Sequence, residues 1–387
     1  MLIFEYITLA QIIIGVAVTA LVLAILLRIG ALRNWFDPML LPLFQTTLTV
    51  VLLGGRVIPL ADVFMYLIFL FLISWGRDRP KIINSSSILR WQRIVVPLFV
   101  LSVILNAYVI SEKGFLLFED DVGVARQEFY QGWGLVQRLN SVCAVIFGIR
   151  WAIGFTSGQA KNNFILILLL WTSYLILSLG SKSGLYTLLT CIGCIGSFQG
   201  IRLNLRNIII ICFGVVTSIA VMFFIFFGAE AWTYFGVRFI SFTDGPFYYF
   251  RSPTAPVVSL SYSFDQLLVA LRFYDALPQS SLGPAINWDY FSFDNELVGP
   301  NPQIFVEARA ILGVMWPMYY VIVAGAITVI LRCAKTPFDL ALLAMVAMPL
   351  AIDSQFAMSN VMNVALAYLL KIMISVMPKF RTNYDYN

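Results

Sequence analysis

Apolar residues dominate the chain in long unbroken runs, most of about 16 to 25 residues, separated by polar connections that are mostly short. A helix rises about 1.5 Å per residue, so roughly 20 residues cross the ~30 Å hydrocarbon core of a bilayer. Backbone N–H and C=O groups find no partners in lipid, so a span must be a helix or part of a closed barrel. Barrel strands show weak alternation, unlike these continuous runs. The pattern predicts an all-α polytopic membrane protein with about 11 transmembrane helices, 10–12 being compatible with it. The spans lie near 7–27, 39–55, 60–76, 94–111, 135–154, 164–180, 184–200, 208–228, 304–331, 338–353 and 359–377. The first run lacks a basic leader and a small-residue cleavage site, so it reads as a retained helix.

Charge supplies the sidedness. Arg28 and Arg33, then Arg77, Arg79, Lys81, Arg90 and Arg93, then Lys161, Arg202, Arg206, Arg332 and Lys335 all fall on one face if the spans alternate. Lys379 and Arg381 in the tail join them. Basic connections stay cytoplasmic, which predicts an outside N-terminus and an inside C-terminus. The opposite face is more acidic. It carries a loop near 112–134 and a long stretch, 229–303, rich in Trp, Tyr, Phe and Leu. Three regions follow: a bundle over 1–228 of about eight spans, the outer loop 229–303, and the last spans with their tail over 304–387. Apolar spacing in "SYSFDQLLVALRFYDAL" (261–277) predicts a short helix within a cap on the outer membrane surface, its aromatics at headgroup depth.

Composition agrees: 60% of residues are hydrophobic and 12% charged, half the charge of a typical soluble domain. The five cysteines fall in or beside apolar runs, so a disulfide framework is not expected, and the Cys191/Cys194 pair reads as small residues on a packed helix. No histidine is present, which removes the commonest metal ligand and the usual neutral-pH base. Neither a phosphate-binding glycine loop nor a metalloprotease or nucleophile-elbow motif occurs. No cofactor, metal or nucleic acid is expected.

The candidate chemistry sits on the outer side, where positive-inside bias works against each cation. Arg126, Arg238, Arg251, Arg272, Arg309 and Lys182 could grip a lipid-linked diphosphate, since guanidinium forks match phosphate oxygens. The plainer reading is that each stem snorkels to the headgroups. Lys182, in "LSLGSKSGLY", could equally pair with a carboxylate. Glu307, near the start of a span, could be a general base or the partner of an arginine. Asp244 and Glu128 are the other candidate bases.

The long outer loop with its spaced arginines, the "GSKSG" turn (180–184) and the "NPQIFVEARAILG" stretch (301–313) together resemble Wzy-type O-antigen polymerases, a group related to the O-antigen ligases. The resemblance implies a GT-C-like membrane glycosyltransferase, independent of metal. It would join undecaprenyl-diphosphate-linked oligosaccharide repeat units on the periplasmic side of the bacterial inner membrane, alongside a chain-length regulator protein. It also implies roles for arginines in the periplasmic loops, here Arg126, Arg238 and Arg251, and for Lys182 at the basic position of the turn. Ligases commonly carry a histidine in the stretch matching 301–313, where this chain has Pro302 and Gln303. The rival from another class is a lipid-linked oligosaccharide flippase.

Overall fold

A computed structural model describes residues 6–76, 81–82, 85–114, 132–156, 163–179, 190–199, 241–252, 254–279, 281–291 and 301–376, with isolated positions between them. The described chain is built from helices: α1 (Leu9–Arg28), α2 (Leu40–Leu53), α3 (Leu60–Gly76), α4 (Ser85–Lys113), α5 (Gly134–Thr156) and α6 (Asn163–Leu179). After a further helical turn at 190–196 come α7 (Asp244–Tyr249), α8 (Tyr262–Ala270), α9 (Leu282–Phe291), α10 (Gln303–Leu312), α11 (Trp316–Arg332), α12 (Pro337–Ala347) and α13 (Ser354–Val376). Among the described residues, five helical stretches are long and apolar enough to cross a membrane by length and composition: Leu9–Arg28, Ile88–Lys113, Gly134–Phe155, Gln303–Arg332, which is broken at Gly313, and Ser354–Met373. The described residues are thus almost wholly helical, apart from one short parallel pairing of Lys81–Ile82 with Phe198–Gln199, and have the features of a membrane protein. Most predicted spans coincide with a helix; 184–200 is described only from 190, as a short helical stretch that gives way to strand at Phe198–Gln199, and 208–228 lies almost wholly outside the described residues.

Local chemistry sets the helix starts. At α1, the Gln11 N–H donates to Thr8 Oγ1 and the Thr8 N–H donates to Gln11 Oε1, a reciprocal cap that satisfies two otherwise orphaned donors. At α12, the Asp339 N–H donates to Thr336 Oγ1 at 3.1 Å, and Pro337 occupies the first helical position, where no N–H is needed. Lipid-facing positions then show as exposed apolar side chains: Leu9, Ile13 and Leu21 on α1; Phe64, Leu67 and Phe71 on α3.

One predicted span needs correction. The run 304–331 is two helices and not one. In a continuous helix, residues 305 and 320 would lie about 22 Å apart, yet the Phe305 and Tyr320 rings sit 6.3 Å apart. The chain turns back at Gly313, whose φ of 50° is in the left-handed region that glycine tolerates. A short 3-10 turn over Gly313–Met315 follows, with Pro317 just inside α11. The helix α10 therefore packs against the first turns of α11, and eight of its ten residues are buried.

Contacts divide the chain into two compact units. The first comprises Met1–Ile83 and Leu189–Val361, and the second Asn84–Leu188 and Met362–Asn387. Within the first, the Tyr66 hydroxyl of α3 is hydrogen-bonded to Thr46 and Thr47 of α2 at 2.7 and 2.8 Å, and its ring meets Phe305 of α10 at 5.4 Å. A Cβ on Gly193 would fall 1.7 Å from the Phe36 carbonyl oxygen, so only glycine permits that approach. In the same place Asn34 Nδ2 donates to the Gly193 carbonyl. Cys191 and Cys194 are buried in this turn and form no disulfide. In the second unit, Asn106 and Asn140 exchange amide hydrogen bonds at 2.9 and 3.0 Å, and Trp171 Nε1 donates to Ser102 Oγ. Lys371 lies 4.1 Å above the Trp91 ring, and Arg138 donates to Asn363. These polar groups find partners close by, as burial in an apolar setting favours.

Candidate functional site

In the first unit, α7, α8 and α9 converge on α10 and on the start of α13. The seat of α7 is tight: a Cβ on Gly245 would lie 1.9 Å from the Asn301 carbonyl oxygen. Gln303 holds the same junction. Its N–H donates to the Ile352 carbonyl and its Nε2 to the Phe242 carbonyl, with its own φ at 56°. A non-glycine residue in that region is strained, and strain of this kind persists only where surroundings over-determine it.

Two of the sequence-predicted residues prove to be committed to this frame. Glu307 is fully buried. Its Oε2 accepts from the Tyr319 hydroxyl at 2.8 Å, and its Oε1 accepts from both the Ser354 N–H at 2.8 Å and Ser354 Oγ at 2.9 Å. Ser354 Oγ is also hydrogen-bonded to Ser263 Oγ of α8 at 2.8 Å. Glu307 thus ties α10, α11, α13 and, through Ser354, α8. The carboxylate is paired with neutral donors instead of the arginine that sequence reasoning allowed. Arg309 is held by Asp62 of α3, Nε to Oδ1 at 3.2 Å and Nη2 to Oδ2 at 2.7 Å, while its guanidinium stacks 4.1 Å above the Trp316 ring. This two-pronged ion pair spans 247 residues of sequence. Asp62, Tyr319 and Ser354 were not singled out from sequence. Asp62 alone left a signal, as an isolated acid at the start of an apolar run.

Asp244 and Arg251 flank α7, one opening it and the other two residues beyond its end. Asp244 is half-buried, and its Oδ1 is enclosed without a hydrogen-bond partner among the described residues. Loss of water around the carboxyl pushes its pKa up to about 7. Arg251 is exposed, with its guanidinium 4.5 Å from the Tyr6 ring centre and 4.8 Å from that of Phe247. Between them, Tyr249 is pushed up to about 12 by burial, with Arg309 opposing and Asp62 adding to the effect, so the ion pair lies within electrostatic reach of α7. Arg272 is exposed just past α8 with φ at 63°. The predicted helix over 261–277 therefore ends early, at Ala270.

The structure accordingly brings Asp244, Arg251, Glu307 and Arg309 into one unit and sets Arg272 on its surface. Glu128, Arg126, Lys182 and Arg238 lie outside the described residues. The site offers a carboxylate suited to accept a proton near neutral pH and a ring-backed cation suited to an anionic group. Comparison with known proteins finds no match for this chain among protein families, curated proteins or solved structures.

Proposed function

We propose that the chain is a membrane glycosyltransferase of the O-antigen polymerase type, joining undecaprenyl-diphosphate-linked oligosaccharide repeat units on the periplasmic side of the bacterial inner membrane. The observation that carries this reading is the placement of two groups at opposite ends of α7: Asp244, half-buried with an enclosed carboxyl oxygen, opens it, and Arg251, with an exposed guanidinium over two rings, follows it. In this scheme Asp244 takes the proton of the acceptor sugar hydroxyl, and the resulting oxygen attacks the donor's anomeric carbon. The bond from that carbon to the diphosphate oxygen breaks, and the diphosphate leaves with the electron pair. Arg251 stabilises the charge that develops there, and Arg272, Arg238, Lys182 and Arg126 are the further cations that the sequence offers for it. Glu307 and Arg309 shape the floor instead of reacting. A diphosphate is acidic enough to depart without a protonated acid, so the scheme calls for neither metal nor cofactor. The eleven-span, GT-C-like topology is part of the same proposal, and folding α10 onto α11 leaves its count unchanged, because α11 still crosses once.

A strain lacking the gene should display surface glycan capped with a single repeat unit, read on a glycan gel. Loss of a flippase would instead leave no surface repeat at all, and unchanged long chains would remove the polymerase reading. In a complemented strain, Arg251→Ala should cut chain extension by about 10²–10³-fold, the usual loss for one charge-stabilising donor. Protein level should hold, because an exposed cation–π contact contributes only about 0.5–1 kcal/mol.

A further inference from the structure

The segment 254–279 carries large apolar side chains that the protein leaves uncovered. Val257 is 77% exposed and Phe273 72%, and Leu260, Phe264, Leu271 and Leu277 are exposed as well. These are not scattered along a floppy strand. Gln279 accepts the Ser259 N–H at 3.1 Å and donates to Ser259 Oγ at 2.8 Å, which fastens the 257–260 stretch to the 271–279 stretch. Gln279 also donates to the buried Asp265 of α8. The Val258 N–H donates to the Ala310 carbonyl, which places this surface beside the end of α10. There the turn between α10 and α11 exposes Val314, at 96%, and Met315. From that turn the exposed apolar positions continue down α11 as Met318, Val321, Ile322 and Val329. An apolar strip so placed is continuous with a lipid-facing helix surface, and patches of this kind mark an interaction surface.

The geometry points to a membrane-dipping lip: the 257–277 surface rests in the adjoining leaflet of the bilayer, with Arg272 among the headgroup phosphates. Charge supports lipid as the occupant. Arg272 projects, exposed, between Leu271 and Phe273, and an arginine among apolar neighbours matches the boundary where acyl chains meet anionic headgroups. Tyr274, also exposed, is a residue type favoured at that depth. The lip would hold Arg251 and Asp244 at the height of lipid phosphates, a consequence that rests on the proposed function, whereas the lip itself does not.

The test is a depth measurement that needs no activity. The full chain, with its native cysteines, is placed in nanodiscs of phosphatidylethanolamine and phosphatidylglycerol. A ketone-bearing phenylalanine analogue at 273 or 257 is coupled to an oxime nitroxide. Collision with oxygen, which prefers the acyl region, is compared with collision with a water-soluble nickel chelate. Val329 on α11 serves as the lipid-facing reference and Lys335 as the water-facing one. Labels at 273 and 257 are expected to favour oxygen, as at Val329. Two results would overturn the lip: nickel exceeding oxygen as at Lys335, or suppression of both collisions below both references, which would show a protein surface or second copy covering the patch.

Discussion

Membranes carrying Asp244→Asn should lose chain extension by about 10²–10⁴-fold, the contribution of a positioned general base, while the protein itself becomes harder to unfold above pH 7. The two effects share one cause. Burial raises the Asp244 carboxyl from 3.8 to about 7, so the folded protein holds this proton more tightly than the unfolded chain does. Below about pH 4 both states are protonated and the contribution to stability is fully present. As pH rises toward 7 the unfolded chain releases the proton first, so stability falls until the folded carboxyl ionises as well, and it levels above that point. At about 1.4 kcal/mol per tenfold change in proton affinity, this sets an upper bound of a few kcal/mol. Asparagine keeps the shape without the charge and removes that loss. Wild-type extension should rise between about pH 6 and 8 as the base form populates, and the variant's residual rate should be flat over the same interval. Thermal unfolding at pH 5 and pH 8 in nanodiscs, beside extension of lipid-linked repeats, reads both. A variant less stable than wild type at pH 8 would mean that the carboxylate is ionised and paired. A variant of undiminished rate would place the base elsewhere.

The apolar helices were legible because the length of a hydrophobic run is a one-dimensional property. Turns of the chain within such a run are not. The stretch from Ile311 to Pro317 stays apolar throughout, so it reads as the middle of a span. Gly313 and Pro317 were the available signals for a fold-back, yet transmembrane helices tolerate both residues. What decided the turn was packing: Phe305 against Tyr66 and Tyr320, and Glu307 against Tyr319. The candidate site shows the same division. Sequence marked Glu307 and Arg309 because charge in an apolar run demands a reason. It could not say that one is satisfied by Tyr319 and Ser354 and the other by Asp62, since those partners come from other helices. Nor could it rank Asp244 above Glu307 as a base. That ranking depends on which carboxyl is sealed and which remains half-open, a property of the folded surroundings alone.

Arg309→Met should destabilise the first unit by about 3–5 kcal/mol, the cost of stranding a buried charge. The magnitude follows from asymmetry within the pair: the Asp62 side chain is 0% exposed and that of Arg309 31%. Removing the arginine leaves a carboxylate with no water and no counter-ion. Asp62→Asn should cost less, because Arg309 keeps some solvent and its stack on Trp316. Combining the two should recover most of the loss, since a buried ion pair replaced by uncharged groups of similar size is often near neutral. Unfolding of the purified single and double variants measures this coupling, and additive losses would mean the pair is not a unit. The double variant also separates two roles for Arg309. If the guanidinium serves only to hold α10 against α3, restored folding brings back long glycan chains. If it also grips the donor diphosphate, the double variant folds yet makes chains as short as those of Arg309→Met, because asparagine and methionine together supply no cation. The bidentate bond to Asp62 and the Trp316 stack already occupy both the edge and the face of that guanidinium, so long chains from the double variant are the expected result.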